Sequence, residues 1–226
     1  MIRRDYILRM IEQLIQALTR LRSLKQERRW DEAAETLDEG FKRFVGIGAA
    51  GVERLTETEL LARTIRGEPA LAVRDKTLLL TSLLKEAGDV AVAREQLDEG
   101  RAWYLKGLHL LLETLGREES LDTPDCVPRV ESFILSLAGA PLPLATLARL
   151  MQHYERFGEF GRAEDALFSM LEQEPHNAAL VDFGHSFYER LLRQTDANLE
   201  VGNLPRAEVQ AGLAELRERK FAAPPQ

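Results

Sequence analysis

Cysteine is nearly absent: the single residue of that type, Cys126, excludes an intramolecular disulfide and a cysteine-built zinc site. Basic charge is not in excess either. Thirty Lys and Arg against 37 Asp and Glu leave a net charge of −7, which argues against a dedicated nucleic-acid binder. No apolar run reaches the roughly 18 residues of a membrane span. The opening MIRRDYILRMIEQL carries arginines, but Asp5, Arg9, Glu12 and Gln13 interrupt it, so it does not read as a secretory signal, and the expected location is cytoplasmic. Alternating apolar–polar runs are missing, which removes β-strands from the expectation.

Catalytic signatures are missing as well. The glycines of Gly46-Ile47-Gly48-Ala49-Ala50-Gly51 are followed by no Lys-Ser/Thr pair and preceded by no strand, so they do not form a phosphate loop. The four histidines, His109, His153, His176 and His185, are dispersed. His185 and Glu189 stand one helical turn apart and could share a metal, yet no third ligand has suitable spacing, and a surface hydrogen-bonding pair is the simpler reading. Cys126, between Pro124 and Pro128, has no base to activate it and reads as a half-buried loop cysteine. Glu118-Glu119 is solvated charge. No catalytic residue, cofactor or metal is expected.

What is present is helix. At 226 residues, 45% hydrophobic and 30% charged, the chain is long enough for one sizeable core or two small ones. Apolar residues recur at three- and four-residue steps along almost its whole length. The steps predict helices over about 5–27 with Asp5 as N-cap, from Trp30 towards Gly46, over 52–66 before the break Gly67-Glu68-Pro69, and over 70–87. Further helices are expected over 90–115, over 130–138, on both sides of Gly158, and from Asn177 to about 221, with a frayed tail over 222–226. The fold class is therefore all-α: about ten helices in an α-solenoid-like array forming one domain over 1–221. Its units fall near 5–46, 70–116, 143–175 and 177–221, with inserted helices over 52–66 and 124–139.

The most informative stretch is LARLMQHYERFGEFGRAEDALFSMLEQEP, residues 147–175. Leu147, Leu150, Tyr154 and Phe157 share one helix face, Gly158 suits a helix end, and Phe160, Ala163, Leu167, Met170 and Leu171 continue on a second helix that Pro175 closes. Tyr154, Gly158, Phe160, Ala163, Leu167 and Pro175 fall where the tetratricopeptide pattern wants aromatic, glycine, aromatic, alanine, bulky and proline. The stretch thus resembles a tetratricopeptide repeat, although Leu147 and Met151 replace that pattern's Trp and Gly; an ordinary helical hairpin with a glycine corner is the other reading. Similar corners are expected at Trp30-x-x-Ala33, Val90-x-x-Ala93 and Leu204-x-x-Ala207, with Arg28, Gly88 and Gly202 two residues earlier. LDEG recurs at Leu37–Gly40 and Leu97–Gly100. The beginning of the chain, through Asp5-Tyr6-Ile7, Arg9 and Ile11-Glu12-Gln13-Leu14, also resembles a bacterial family of uncharacterised proteins, which implies no activity.

The repeat resemblance implies a non-catalytic interaction module or scaffold that grips a protein or peptide on the first helices of its units. The groove residues it implies are Arg22 and Lys25 with Leu18, Ser82 and Lys85 with Leu78, and Gln152, Glu155 and Arg156 with Ala148. Leu18, Leu78 and Ala148 stand where a carboxylate-gripping member would have Lys, so that clamp is not implied, and the leucines also read as core. The alternative is a small-molecule-binding protein or enzyme with a pocket around Trp103, Tyr104 and His109. In the first helix, Ile7, Ile11, Leu14, Leu18 and Leu21 make a coiled-coil-like seam, widened by Tyr6, Met10, Ile15, Ala17 and Leu24. That face would join two copies of the chain or serve as a wide intramolecular face. Residues 1–30 carry eight Lys/Arg against three acids, a solvated basic face or one that steers an acidic partner or lipid.

Overall fold

Every residue from Thr77 to Leu84 is buried, which a helix tolerates only when neighbours surround it. That helix, α5 (Ala70–Ala93), is the centre of the first of two compact units, Met1–Pro141 and Leu142–Gln226. A computed structural model describes residues 2–66, 70–117 and 123–222, with side chains over 8–66, 72–117 and 123–218. The described residues form twelve helices and no strand. Gly67-Glu68-Pro69, Glu118-Glu119 and the tail past Ala222 lie outside them.

Unit 1 begins with α1 (Ile2–Gln26) and α2 (Trp30–Val45). Asp5 lies inside α1 rather than at its cap. The helix expected over 52–66 is two short ones, α3 (Ala49–Arg54) and α4 (Glu57–Ile65), so α3 starts within the supposed glycine loop. They are separate because Thr56 opens α4 with a capping box: its hydroxyl accepts from the Glu59 N–H, and Glu59 Oε2 accepts from the Thr56 N–H at 2.8 Å. After α5 come α6 (Leu97–Gly116) and α7 (Val130–Ser136). Helix α5 packs on α1, α2, α4 and most extensively on α6. Leu14, Leu21, Phe41, Leu78, Leu83, Leu108 and Phe133 fill this core at 0% exposure.

Helix α3 is held by an unusual donor. Lys106 of α6 is 8% exposed and donates from Nζ to the carbonyls of Val52 (2.8 Å), Glu53 (2.7 Å) and Leu55 (2.7 Å). The last carbonyls of a helix lack intrahelical partners, and a cation suits the negative end of the helix dipole. Burial lowers the Lys106 pKa, with Glu57 and Glu53 opposing it.

Three hairpin corners share one geometry. Arg28, Glu95 and Gly158 have φ of 57°, 64° and 74°. The following N–H groups, of Arg29, Gln96 and Glu159, each reach back five residues to the carbonyls of Leu24, Ala91 and Tyr154 at 2.9 Å. This is the long bond of a Schellman helix end. The next helix then starts at Trp30, Leu97 or Phe160, and a small residue, Ala33, Gly100 or Ala163, bonds the carbonyl before it. A corner was expected at Gly88, but α5 runs through it and turns seven residues later, at Glu95. Gly88 serves a different purpose: a Cβ there would collide with the Tyr104 ring, so its absence lets α6 approach. The repeated LDEG is not a repeat register, because its first copy sits in mid-α2 and its second opens α6.

Unit 2 consists of α8 (Leu144–Arg156), α9 (Phe160–Gln173), α10 (Ala178–Leu191), α11 (Asp196–Val201) and α12 (Arg206–Ala222). Leu150, Met151, Tyr154, Ala163, Leu167, Met170, Phe187, Leu199 and Leu216 build its core. The corner before α12 places Asn203, not Gly202, in the left-handed conformation (φ 56°). Gly202 instead touches the α8–α9 corner backbone to backbone, and its carbonyl accepts from the Gly161 N–H at 2.9 Å.

One half-buried pair in unit 2 is unbalanced. Tyr188 donates its hydroxyl to Glu164 Oε1 at 2.5 Å, and no described cation pairs with Glu164. Burial raises the Glu164 pKa; the Tyr188 bond opposes this, and Glu208, Asp165 and Glu215 add to it. A raised carboxyl pKa means stability that is full below the ordinary range near pH 4.3 and lost as pH rises through the folded value. Glu164→Gln keeps an acceptor for Tyr188 without the charge. It is expected to raise the melting temperature at pH 8 and leave it unchanged at pH 4; an equal shift at both would show that charge is not the cause.

Candidate functional site

Gln152, Glu155 and Arg156 occupy one face of α8 because residues three and four apart lie on the same side of a helix. The structure brings all three into a cleft of about 480 Å³ in unit 2. Arg190 and Leu191 from the end of α10, Arg193 and Gln194 from the turn after it, and Phe160 from α9 complete the lining. Phe160 and Leu191 are buried, so the floor is apolar while the rim is polar.

The geometry of the rim is set by charge pairs. Arg190 grips Glu155 with two parallel bonds, Nε to Oε1 at 2.6 Å and Nη2 to Oε2 at 2.8 Å. The hydrogen bonds that Arg190 donates to Glu155 raise the Arg190 pKa, against a smaller opposing effect of burial. This fork ties α8 to α10 across 35 residues of sequence. The turn carrying Arg193 and Gln194 is pinned from below by Arg206 of α12. Its guanidinium donates to the carbonyls of Leu192 (3.1 Å) and Gln194 (2.6 Å) and pairs with Asp196. Thr195 caps α11 beside it.

Arg156, Arg190 and Arg193 face one carboxylate, Glu155. Helices α8 and α10 both end here, and each C-terminus carries roughly half a negative charge. Three guanidiniums and one carboxylate line the cleft between these helix ends, in a chain whose net charge is −7. The arrangement suits a single carboxylate attached to something apolar.

The other expected groove residues lie in unit 1, and all but Arg22 are engaged. Lys25 bonds Glu86 (2.7 Å) and Asp89 (3.0 Å), and Lys85 bonds Asp89 (2.6 Å). Tyr104 donates to the same Asp89 at 2.8 Å. Burial opposes the charge on Lys25, but Glu86 and Asp89 outweigh it and raise its pKa; burial also opposes the charge on Asp89, and Lys85, Lys25 and Tyr104 outweigh that and lower it. Ser82 is 2% exposed and donates to the Cys126 carbonyl at 2.8 Å, so it faces the core rather than a partner. Arg22 is exposed on α1.

The expected pocket around Trp103, Tyr104 and His109 does not form as one site. Trp103 stacks on Phe41 (5.5 Å between rings) beside a cavity of about 60 Å³, Tyr104 bonds Asp89, and His109 Nδ1 lies 3.0 Å from Glu57. These are contacts to α2, α5 and α4 respectively. His185 Nε2 is buried without a hydrogen-bond partner, so the surface pair with Glu189 is not what holds it. Among the described residues no group of three His, Cys, Asp or Glu could hold a metal, and no helix is long and apolar enough to cross a membrane.

The proposed seam of α1 needs correction. Leu14 and Leu21 are 0% exposed in the core of unit 1 and cannot meet a second copy. Ile11 and Leu18 are half-exposed, and the side chain of Ile7 lies outside the described residues.

Sequence reasoning missed Arg190, Arg193, Gln194 and Arg206. The signal for the first three was the run Arg190-Leu191-Leu192-Arg193-Gln194, two arginines three residues apart at a helix end.

A family described as a family of unknown function (DUF6483) matches residues 1–220 of the chain. No curated protein and no solved structure matches it.

Proposed function

The chain belongs to that family of unknown function, and from its own geometry we propose a non-catalytic, cytoplasmic protein-interaction module of tetratricopeptide-like type. Its cleft in unit 2 takes a short peptide segment with one carboxylate and an apolar neighbour. The repeat reading is supported by the three equivalent corners, each a left-handed residue followed two residues later by a helix start and five later by Ala or Gly. Corners at 28, 95 and 158 are 67 and 63 residues apart, about two 34-residue units each.

The observation that carries the binding reading is the convergence of Arg156 and Arg193 over the floor of Phe160 and Leu191. Arg156 and Arg193 flank the Arg190–Glu155 fork and supply the recognition charge. Gln152 and Gln194 offer donors and acceptors to a peptide backbone. Most of the affinity comes from the apolar floor; the charge sets specificity and on-rate.

The test is calorimetric titration of three blocked peptides of one leucine-rich sequence carrying Glu, Gln or Lys at the centre. The Glu peptide is expected to bind with Kd on the order of 10–100 μM, about tenfold or more tighter than the others, and to weaken as salt rises. Arg156→Glu with Arg193→Glu should abolish that preference. Equal binding of all three peptides, or of none, would reject the reading.

A further inference from the structure

Arg206, the first residue of α12, does not line the cleft, yet all three nitrogens of its guanidinium hold the rim turn after α10. Nη1 donates to the Leu192 carbonyl at 3.1 Å, Nη2 to the Gln194 carbonyl at 2.6 Å, and Nε pairs with Asp196. Leu192 and Gln194 are the residues on either side of Arg193. A guanidinium presents its donors in a rigid planar fork, so bonds to these two alternate carbonyls fix the backbone between them.

Carbonyls at the end of a helix lack intrahelical partners. Here the N–H groups of Arg193 and Gln194 turn back to the carbonyls of Arg190 (3.2 Å) and Leu191 (2.9 Å). The carbonyls of Leu192 and Gln194 accept from α12 instead. A cation also suits the negative end of α10.

The three rim arginines differ in what holds them. Arg190 is forked to Glu155, and the Arg156 guanidinium lies 5.9 Å from the centre of the Phe157 ring. The Arg193 side chain is exposed and has no hydrogen-bond or ion-pair partner among the described residues. Its place at the rim is therefore set by its backbone, and that backbone is clamped by Arg206.

We propose that Arg206 is a positioning residue for carboxylate recognition, acting through Arg193 and coupling the cleft to α11 and α12. The inference rests on the reading of the cleft as a peptide site. Coupling between two sites is reciprocal. A carboxylate held by Arg193 tightens the Arg206 clamp, just as the clamp tightens the hold on the carboxylate.

The test uses the intact chain with the blocked Glu and Gln peptides and reads the ratio of their dissociation constants. Arg206→Gln is expected to cut the Glu preference from about tenfold to about threefold, because one of two recognition charges loses its place. Arg193→Gln should give the same ratio, and the double variant should go no lower, since Arg206 acts through Arg193. Arg206→Lys keeps a cation at the end of α10 without the planar fork. It covers the case in which Arg206→Gln does not fold, and it should also lower the preference. Hydrogen exchange gives a readout that plain destabilisation does not move. The Glu peptide should slow exchange at the Leu199 and Gly202 N–H groups, which bond the Thr195 and Asn198 carbonyls, in the parent chain and not in Arg206→Gln. A preference unchanged in Arg206→Gln and Arg206→Lys would overturn the inference alone, as would losses that multiply in the double variant. No Glu preference in the parent chain would overturn the cleft reading, and this inference with it.

Discussion

Gly202→Ala is expected to destabilise unit 2 by about 3 kcal/mol, enough to consume a large part of an ordinary folding free energy. A methyl at 202 would fall on the ring of Phe160 and on the carbonyl oxygen of Gly158, closer than real Cβ atoms come to anything. A ring edge can rotate; a carbonyl at the top of a helix corner cannot. Gly202 has φ −77°, which any residue adopts, so the penalty is steric and not conformational. The substitution also removes freedom from the unfolded chain, which is worth about 0.4–1 kcal/mol in the opposite direction and does not close the gap. Gly158 gives the contrasting case. Its φ is 74° and nothing lies within 4 Å of its missing Cβ, so Gly158→Ala should cost only the left-handed penalty of about 1–2 kcal/mol. Urea unfolding of both variants separates the two causes. A Gly202→Ala protein within about 0.5 kcal/mol of the parent would show that the corners are not in backbone contact.

Lys106→Met should cost unit 1 about 3 kcal/mol, because it keeps the buried stem and removes the donor from three carbonyls at once. Hydrogen bonds from charged groups contribute roughly 1.5–3 kcal/mol each, but these three share one ammonium and will not add. The local consequence is the release of α3, a six-residue helix too short to persist alone. Amide hydrogen exchange at Gly51, Val52 and Leu55, whose N–H groups bond within this segment, should accelerate more than exchange in α5. Uniform acceleration would mean that Lys106 contributes only to global stability. Lys106→Arg tests geometry: a planar fork cannot present three donors to three converging carbonyls, so little rescue is expected.

Helical class and the Gly158 corner were legible because they rest on spacing, which local sequence states directly. The second corner was not, because glycine does two different jobs here. At 158 it supplies a left-handed backbone; at 88 it supplies room for Tyr104, and the left-handed position falls to Glu95. A charged residue with positive φ leaves no mark in a sequence, since its cost is met by packing elsewhere. Gln152, Glu155 and Arg156 were implied by the resemblance to a tetratricopeptide repeat, and the structure places all three along one cleft. Its other half comes from the end of α10, and only the folded hairpins bring Arg190 to Glu155. The α1 seam was misassigned because a helix with apolar residues on two sides offers two rows, and periodicity does not say which one the core takes. Leu14 and Leu21 went inward; Leu8 and Ile15 stayed out.

The division into two units leaves the chain's reporter groups on one side of it. Trp30, Trp103 and the lone thiol of Cys126 all belong to Met1–Pro141, and Leu142–Gln226 has neither tryptophan nor cysteine. Indole emission and thiol labelling therefore watch one unit only, while far-ultraviolet dichroism sums over both. Where the optical and chemical curves coincide during denaturation, the units melt as one cooperative body; where dichroism changes alone, the dark half has opened first.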